Sequence, residues 1–292
     1  MNLSDAKITF VGAGSMAEAI IRGLTGKHVA RPDNIFVFNR QDAAKLDSIK
    51  STYGVQITAE PAAKDEFVRQ ADVVVVAFKP KDAVEGLRGL RELLHPGQLL
   101  VSVIAGLSVD TIEHILATKQ PIARTMPNTS STIGLGATGL SFSTTVTETQ
   151  RAIAREMFEA TGLVSVVEES QLDIVTGVSG SGPAYIYYMM EAMIQGGMKG
   201  GLSEEAARQL TVQTVLGAAN MVLHTGENPA DLRRKVTSPN GTTQAAIETL
   251  DRNHFSEGVV QAVLRCAERA KEIGEGISES AGASVIPQTA KK

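Results

Sequence analysis

The chain holds one cysteine, no tryptophan and only 4% aromatic residues. A lone Cys266 excludes an internal disulfide, and within its helical pattern it reads as a small buried hydrophobe. The five histidines (His28, His95, His114, His224 and His254) are scattered, with no His-x-x-x-His pair and no carboxylates clustered beside them, so no metal site is expected. No uncharged apolar run reaches the roughly 20 residues that a membrane-spanning helix needs. The amino terminus lacks the cationic segment and apolar core of a secretory signal and runs straight into a strand, which points to the cytoplasm. A formal charge of −4 without a long basic run makes neither nucleic acid nor an anionic membrane the expected partner.

What is present is a globular composition, 43% hydrophobic over 292 residues, long enough for two domains. Residues 7–11 are β-rich, Gly12-Ala13-Gly14-Ser15-Met16-Ala17 is a glycine turn, and 18–24 has helical periodicity. That order is a nucleotide-binding opening. Gly12 permits the tight turn out of the strand, Gly14 lets a pyrophosphate come close to the backbone, and small Ala17 lets the helix pack on the sheet. With Ser15 and Met16 completing the turn, the anion would rest on free N–H groups at the positive end of the helix. A glycine-rich loop with no ligand has the same spacing, so the context has to separate the two.

The context favours the ligand. A second strand, 34–38, ends at Asn39, 22 positions after Ala17. An NAD site places an acid about 20 residues on, to hold the ribose 2′-OH, whereas an Arg there accommodates a 2′-phosphate. Asn39 offers a neutral amide and Arg40 a fork of donors suited to a phosphate dianion. NADP(H) is therefore expected ahead of NAD(H). Asp42 is the one acid near enough to argue for NAD(H), and a solvated loop cation is the plain alternative for Arg40.

Residues 73–78 are too continuously apolar for a half-exposed strand and suit a parallel strand covered on both faces. Ligands of a doubly wound sheet bind off the carboxyl ends of its strands, so Ala77, Lys79 and Pro80 should face the dinucleotide, with an exposed helix-start lysine as the other reading of Lys79. Residues 82–94 fit a helix. The next strand, 99–103, leaves Ala105 and Gly106 at its end, small enough for a flat ring or simply for a tight turn. A strand at 121–125 runs into Met126-Pro127-Asn128-Thr129, where Asn128 supplies an amide to the crevice or closes an Asx-type turn. Strands at 137–142 and 163–167 flank a helix at 147–160.

After residue 167 helical periodicity takes over. The expected architecture is a Rossmann-type doubly wound parallel sheet over 1–167, an all-α substrate and dimerisation domain over 168–275, and a disordered tail over 276–292. Ser179-Gly180-Ser181-Gly182-Pro183 reads as a flexible turn into a helix, 184–195, that is apolar almost all round. Such a helix is buried, either by a second subunit or by a methionine cluster within the chain. Gly196-Gly197 and Gly200-Gly201 read as its breaks, and a long helix follows to 223. The loop Thr237-Ser238-Pro239-Asn240-Gly241-Thr242-Thr243 gathers four hydroxyls, a bend and a helix start into a cup of donors without fixed charge, matched to a small carboxylate. Hydroxyls that merely cap the helix are the alternative. A last helix is expected over 256–273.

On Val11-Gly12-Ala13-Gly14-Ser15-Met16-Ala17, Ala77-Phe78-Lys79-Pro80, Met126-Pro127-Asn128-Thr129, Ser179-Gly180-Ser181-Gly182-Pro183-Ala184-Tyr185 and the 237–243 loop, the chain resembles pyrroline-5-carboxylate reductases over about residues 7–274. The first block is shared by many dehydrogenases; the last two together are specific. The resemblance implies hydride transfer from NAD(P)H to the C=N carbon of a five-membered cyclic imine, giving L-proline in the last step of its biosynthesis. It implies Thr243 beside the imine nitrogen, its hydroxyl orienting and helping to protonate the ring, and Ser238, Gly241 and Thr242 on the substrate carboxylate, with Asn240 in the same loop. Two departures stand out: many relatives have Gly where this chain has Asn240, and relatives often carry a ribose-contacting Asn before the fourth strand, which 59–64 lacks.

The resemblance also implies homodimers interlocked through the helical domain, often assembled into decamers. A protonated imine is already electrophilic, and orientation alone can be worth about 7–11 kcal/mol, so no histidine or carboxylate dyad is required. A 3-hydroxyacid dehydrogenase of similar build would need a helix-borne lysine, for which Lys199 is the candidate; the helix dipole explains that lysine equally. A non-catalytic NADP(H)-sensing regulator is the third reading, disfavoured by the intact 237–243 loop.

Overall fold

The structure, a computed structural model, describes residues 2–283. Eight strands, β1 (Ile8–Val11), β2 (Ile35–Phe38), β3 (Gln56–Ile57), β4 (Val73–Val76), β5 (Leu99–Ser102), β6 (Ile122–Met126), β7 (Gly136–Phe142) and β8 (Gly162–Val166), form one sheet. Their order is β3-β2-β1-β4-β5-β6-β7-β8. Pairing is parallel from β3 across to β6; β7 runs antiparallel to β6, and β8 parallel to β7.

The all-valine β4 shows why the sheet is covered twice. Val73 and Val75 join the core on one face with Ile8, Phe10, Val37 and Val101, while Val74 and Val76 join the core on the other with Leu100 and Ile122. Successive strand residues point to opposite faces, so a strand apolar at every position needs helices on both. These are α1 (Ser15–Gly26), α2 (Ala43–Tyr53), α3 (Pro61–Arg69), α4 (Ala83–Arg88), α5 (Val109–Leu116) and α6 (Glu148–Glu159). Local sequence sets their starts: Asp42 caps α2 by accepting from Lys45 N–H at 2.9 Å, Ser108 caps α5, and Thr147 with Gln150 forms a capping box on α6. The helix expected over 82–94 is shorter, a 3-10 turn at Pro80–Asp82 followed by α4.

A short α7 (Leu172–Val175) passes into a π-helical turn, Thr176–Gly180, where the sequence suggested a flexible turn. Buried Arg124 of β6 fixes this segment. It donates to Glu169 at 3.1 Å and to Asp173 at 3.0 Å, and the same Glu169 oxygen accepts the Val109 N–H at the start of α5 at 2.7 Å.

The chain divides into two compact units, residues up to 181 together with those from 264 on, and Gly182–Val263. The first unit thus extends past the boundary at 167 read from the sequence and recovers the end of the last helix, α12 (Phe255–Ala281). The physical reason is packing that no pattern within the helix announces. Gly106, at φ +75°, has no room for a side chain, because a Cβ there would lie 2.5 Å from Ala270 O and 2.9 Å from Gly274 N. Ile277 and Ala281 then enter the core of α4 and α5. Residues 276–281, expected as disordered tail, are therefore helix, and 284–292 lie outside the described residues.

The second unit contains α8 (Gly182–Lys199), α9 (Glu204–Thr225), α10 (Pro229–Lys235), α11 (Thr242–Arg252) and the start of α12. Gly196-Gly197 does not break α8. Gly197 instead lets α9 approach, since a Cβ on it would sit 3.1 Å from Ala207. The all-round apolar character of α8 is only partly covered among the described residues: α9 packs on one side, none of its residues is fully buried, and Tyr188 is 77% exposed.

Two substitutions probe the first unit. Gly106→Ala combines a backbone clash with a left-handed φ and should cost about 2–4 kcal/mol, read as a lowered Tm in calorimetry. Arg124→Met strands two partly exposed carboxylates and should cost about 2–4 kcal/mol by urea unfolding, less than a fully buried pair would.

Candidate active site

At the carboxyl edge of the sheet, Gly12 N–H donates to Phe38 O at 2.9 Å and Ala77 N–H to Val11 O at 3.0 Å, so the ends of β1, β2 and β4 converge. Gly12 adopts φ +115°, and a Cβ there would lie 2.6 Å from Ala77 O. Gly14 is the N-cap of α1 and makes no side-chain cap; the first bond of the helix runs from Glu18 N–H to Gly14 O at 3.0 Å. The N–H groups before it have no acceptor within the helix. Gly14 and Ser15 are exposed, Met16 is half-buried, and Ala17 is buried against the sheet. A cradle of open donors at the positive end of a helix, beside a Gly12 that admits no side chain, fits the pyrophosphate of a dinucleotide.

Glu18 follows in the first turn and is held by Lys45 at 2.5 Å and by the Tyr53 hydroxyl at 3.2 Å. The Lys45 hydrogen bond, more than any other influence, keeps its carboxyl below the ordinary value of 4.5. Tyr53 in turn accepts from Arg22 at 3.1 Å. Lys45 balances a carboxylate that would otherwise stand near an anion site.

The structure divides the remaining expected residues. The Asn39 amide is spent on its own loop, donating to Asp42 O at 2.7 Å and accepting from Asp42 N–H at 3.1 Å. Asp42 is the α2 cap, which accounts for the one nearby acid. Arg40 reaches out to Asp82 at 3.2 Å and Glu85 at 3.6 Å. Lys79 is exposed at the start of the 3-10 turn, beside half-buried Ala77 and Pro80. Ala105 and Gly106 are half-buried, and the missing Gly106 side chain is accounted for by α12. Asn128 braces the fold, donating to Ser179 O at 3.0 Å and accepting from Ala137 N–H at 3.2 Å. Cys266 is half-buried rather than buried, its Sγ 3.2 Å from Ser181 Oγ. A cavity of about 260 Å³ opens at the other end of the strands, among Asp72, Pro96, Gly97 and Thr147, away from the Gly12 turn.

In the helical unit, Ser238 to Thr243 form a bend leading into α11. Gly241 N–H donates to Ser238 O at 3.0 Å, and a Cβ on Gly241 would lie 2.7 Å from Ser238 Oγ. Asn240 sits at φ +58°, where Asn is among the few side chains tolerated, and its N–H donates to Gln244 Oε1 at 2.8 Å. The Thr237 hydroxyl is taken by Arg233 O at 2.7 Å, so three of the four hydroxyls in the loop remain. Among the described residues Ser238, Thr242 and Thr243 make no side-chain hydrogen bond, and Gly241 caps α11 with no side chain. Thr243 is half-buried; Ser238 and Thr242 are exposed.

Asp82, Glu85 and Lys64 were not singled out from the sequence. Lys64 donates to Asn39 O at 2.9 Å and stands 6.0 Å from the Phe38 ring centre. Their only signal is charge on the helical segments that follow β3 and β4, and charge on exposed helical segments is ordinary.

Comparison with known proteins supplies the chemical class. Residues 7–106 match the family described as NADP oxidoreductase, coenzyme F420-dependent, and residues 169–273 match pyrroline-5-carboxylate reductase dimerisation. Pyrroline-5-carboxylate reductase 2 of Bacillus subtilis (strain 168) is 41% identical over 275 residues, 94% of this chain and 98% of the relative. Among solved structures, a pyrroline-5-carboxylate reductase from Coxiella burnetii superposes with a TM-score of 0.84 at 39% identity, covering 92% of this chain and 98% of that one. Pyrroline carboxylate reductase from Plasmodium falciparum, with NADP bound, gives 0.83 at 28% identity over 93% and 99%.

The Glu18 cluster yields a pH test. Its folded pKa lies below the unfolded one, so its stabilisation is complete above about pH 4.5 and is lost as pH falls through the folded value. Glu18→Gln should be less stable than the parent by up to about 1 kcal/mol at pH 7, and urea unfolding curves of the two should converge in acid.

Proposed function

The chain belongs to the pyrroline-5-carboxylate reductase family, and we propose that two uncapped helix starts, those of α1 and α11, carry the family's reaction in it. It is an oxidoreductase that reduces 1-pyrroline-5-carboxylate to L-proline with NADP(H), the closing step of proline biosynthesis. When bound, NADPH supplies the hydride taken up by the C=N carbon.

The remaining work falls to side chains and backbone donors. Gly12, Gly14, Ser15, Met16 and Ala17 bind the pyrophosphate, for which the open N–H groups of α1 are the support. Arg40 binds the 2′-phosphate, on a loop that Asn39 braces. Ala77, Lys79, Pro80, Ala105 and Gly106 line the nicotinamide side. Ser238, Thr242 and the first N–H groups of α11 hold the substrate carboxylate, while Gly241 leaves room for the Ser238 hydroxyl and Asn240 shapes the bend through its left-handed backbone. Half-buried Thr243 orients the ring nitrogen and shares its proton. The observation that carries this assignment is the set of three hydroxyls left without a protein partner around the start of α11. A cup of neutral donors at a positive helix end stabilises a carboxylate without a counter-charge that would have to be desolvated.

The hydroxyacid dehydrogenase reading gives way, since Lys199 is the exposed basic residue that ends α8. The regulator reading gives way to the enzyme as well. The chain oligomerises through its dimerisation domain, which offers Tyr188, Leu210 and Leu223 as exposed apolar side chains. We propose dimers assembled into decamers, and the cytoplasm as the location. No helix among the described residues is long and apolar enough to cross a membrane.

Following oxidation of NADPH and NADH with pyrroline-5-carboxylate tests the assignment. Thr243→Ala should lower kcat about 10²-fold with a smaller change in KM, and Thr243→Ser should recover most of the rate. An unaltered kcat in Thr243→Ala would remove Thr243 from the chemistry. Light scattering on the purified protein should return a multiple of two chains.

A further inference from the structure

The Arg40 guanidinium is not free. One of its nitrogens lies 3.2 Å from Asp82 Oδ1 and 3.6 Å from Glu85 Oε2. Asp82 stands at the N-cap of α4, where an aspartate ordinarily accepts a helix N–H, yet it makes no cap bond. Asp42, in the same place on α2, does cap its helix. The Asp82 carboxylate is turned from its local task toward Arg40.

We propose that Asp82 and Glu85 are selectivity residues that oppose NADP(H), damping the preference that Arg40 creates; the inference rests on the reading of Arg40 as the 2′-phosphate ligand. A ribose phosphate carries about −1.5 to −2 charges at neutral pH and seeks the same guanidinium, one nitrogen of which already faces the two carboxylates. If the acids stay, they repel the phosphate; if they swing away, their ion pairs are lost. Either route weakens NADP(H), and neither touches a dinucleotide whose 2′ position carries only a hydroxyl, a group that can itself donate to a carboxylate. Lys64, on Asn39 O at 2.9 Å, adds one cation to the same loop. The chain is thereby set to use both dinucleotides rather than one.

Isothermal titration with 2′,5′-ADP and 5′-AMP reads the effect without turnover. Asp82→Asn/Glu85→Gln should bind 2′,5′-ADP about three- to tenfold more tightly, the range that two exposed charge pairs can supply, with 5′-AMP changed by less than about twofold. Glu85→Gln alone should give part of the gain. In an Arg40→Gln background, which should itself lose the advantage of 2′,5′-ADP over 5′-AMP, the two neutralisations should do much less, because their action passes through the guanidinium. Unchanged or weaker 2′,5′-ADP binding in the double variant, with Arg40→Gln still losing the advantage, overturns the inference alone. Arg40→Gln that keeps the advantage overturns the reading of Arg40 and the inference with it.

Discussion

The closed approach of Gly12 to Ala77 is the constraint on which the first unit turns. Three parallel strands end side by side, and with no side chain at Gly12 the chain can leave β1 at φ +115° over the carbonyl at the end of β4. Helix α1 then starts at the sheet edge with donors unspent. Any larger residue would push apart the strand ends that aim those donors, so the open helix start and the packing of β1 on β4 are one feature.

The same economy of backbone recurs where α12 meets the β5–α5 turn. Gly106 and Gly274 lie backbone to backbone, and the end of α12 fills the core beside α4 and α5. Small residues that a dinucleotide site would explain are thus already required by a helix far along the chain. Asn128 is similar: a polar group at the edge of the sheet proves to be a brace between the π-helical turn and β7. Arg124, with Glu169 and Asp173, holds the segment that precedes α8. Buried charge there fixes a geometry, since a single arginine satisfies two acids and one acid also caps α5.

In the helical unit the surface tells the story. Its apolar residues exceed what five helices can cover, and Tyr188, Leu210 and Leu223 remain open to solvent in the single chain. Hydrophobic area of this kind marks association, which agrees with the dimerisation domain the chain carries. Within that unit, the Ser238–Thr243 bend keeps three hydroxyls without a protein partner among the described residues, which is the support for the substrate role proposed for it.

Much of this was readable in the residues alone. The unbroken apolar run over Val73–Val76, the glycine turn before α1 and the hydroxyl-rich bend before α11 are local signals, because strand burial, a helix start and a bend are each decided by a few neighbouring residues. The rest needed distant partners. That Gly197 admits α9 rather than ending α8, that 276–281 is helix, that Thr237 is spent on Arg233, and that Arg40 is claimed by Asp82 and Glu85 follow from contacts between segments separated in sequence or from competition for one donor. The sequence by itself determined which residue types stand at the strand ends and helix starts, and so the chemistry on offer. Tertiary structure decided which of those groups remain unspent, because a hydrogen-bonding group taken by one partner is no longer available to a ligand.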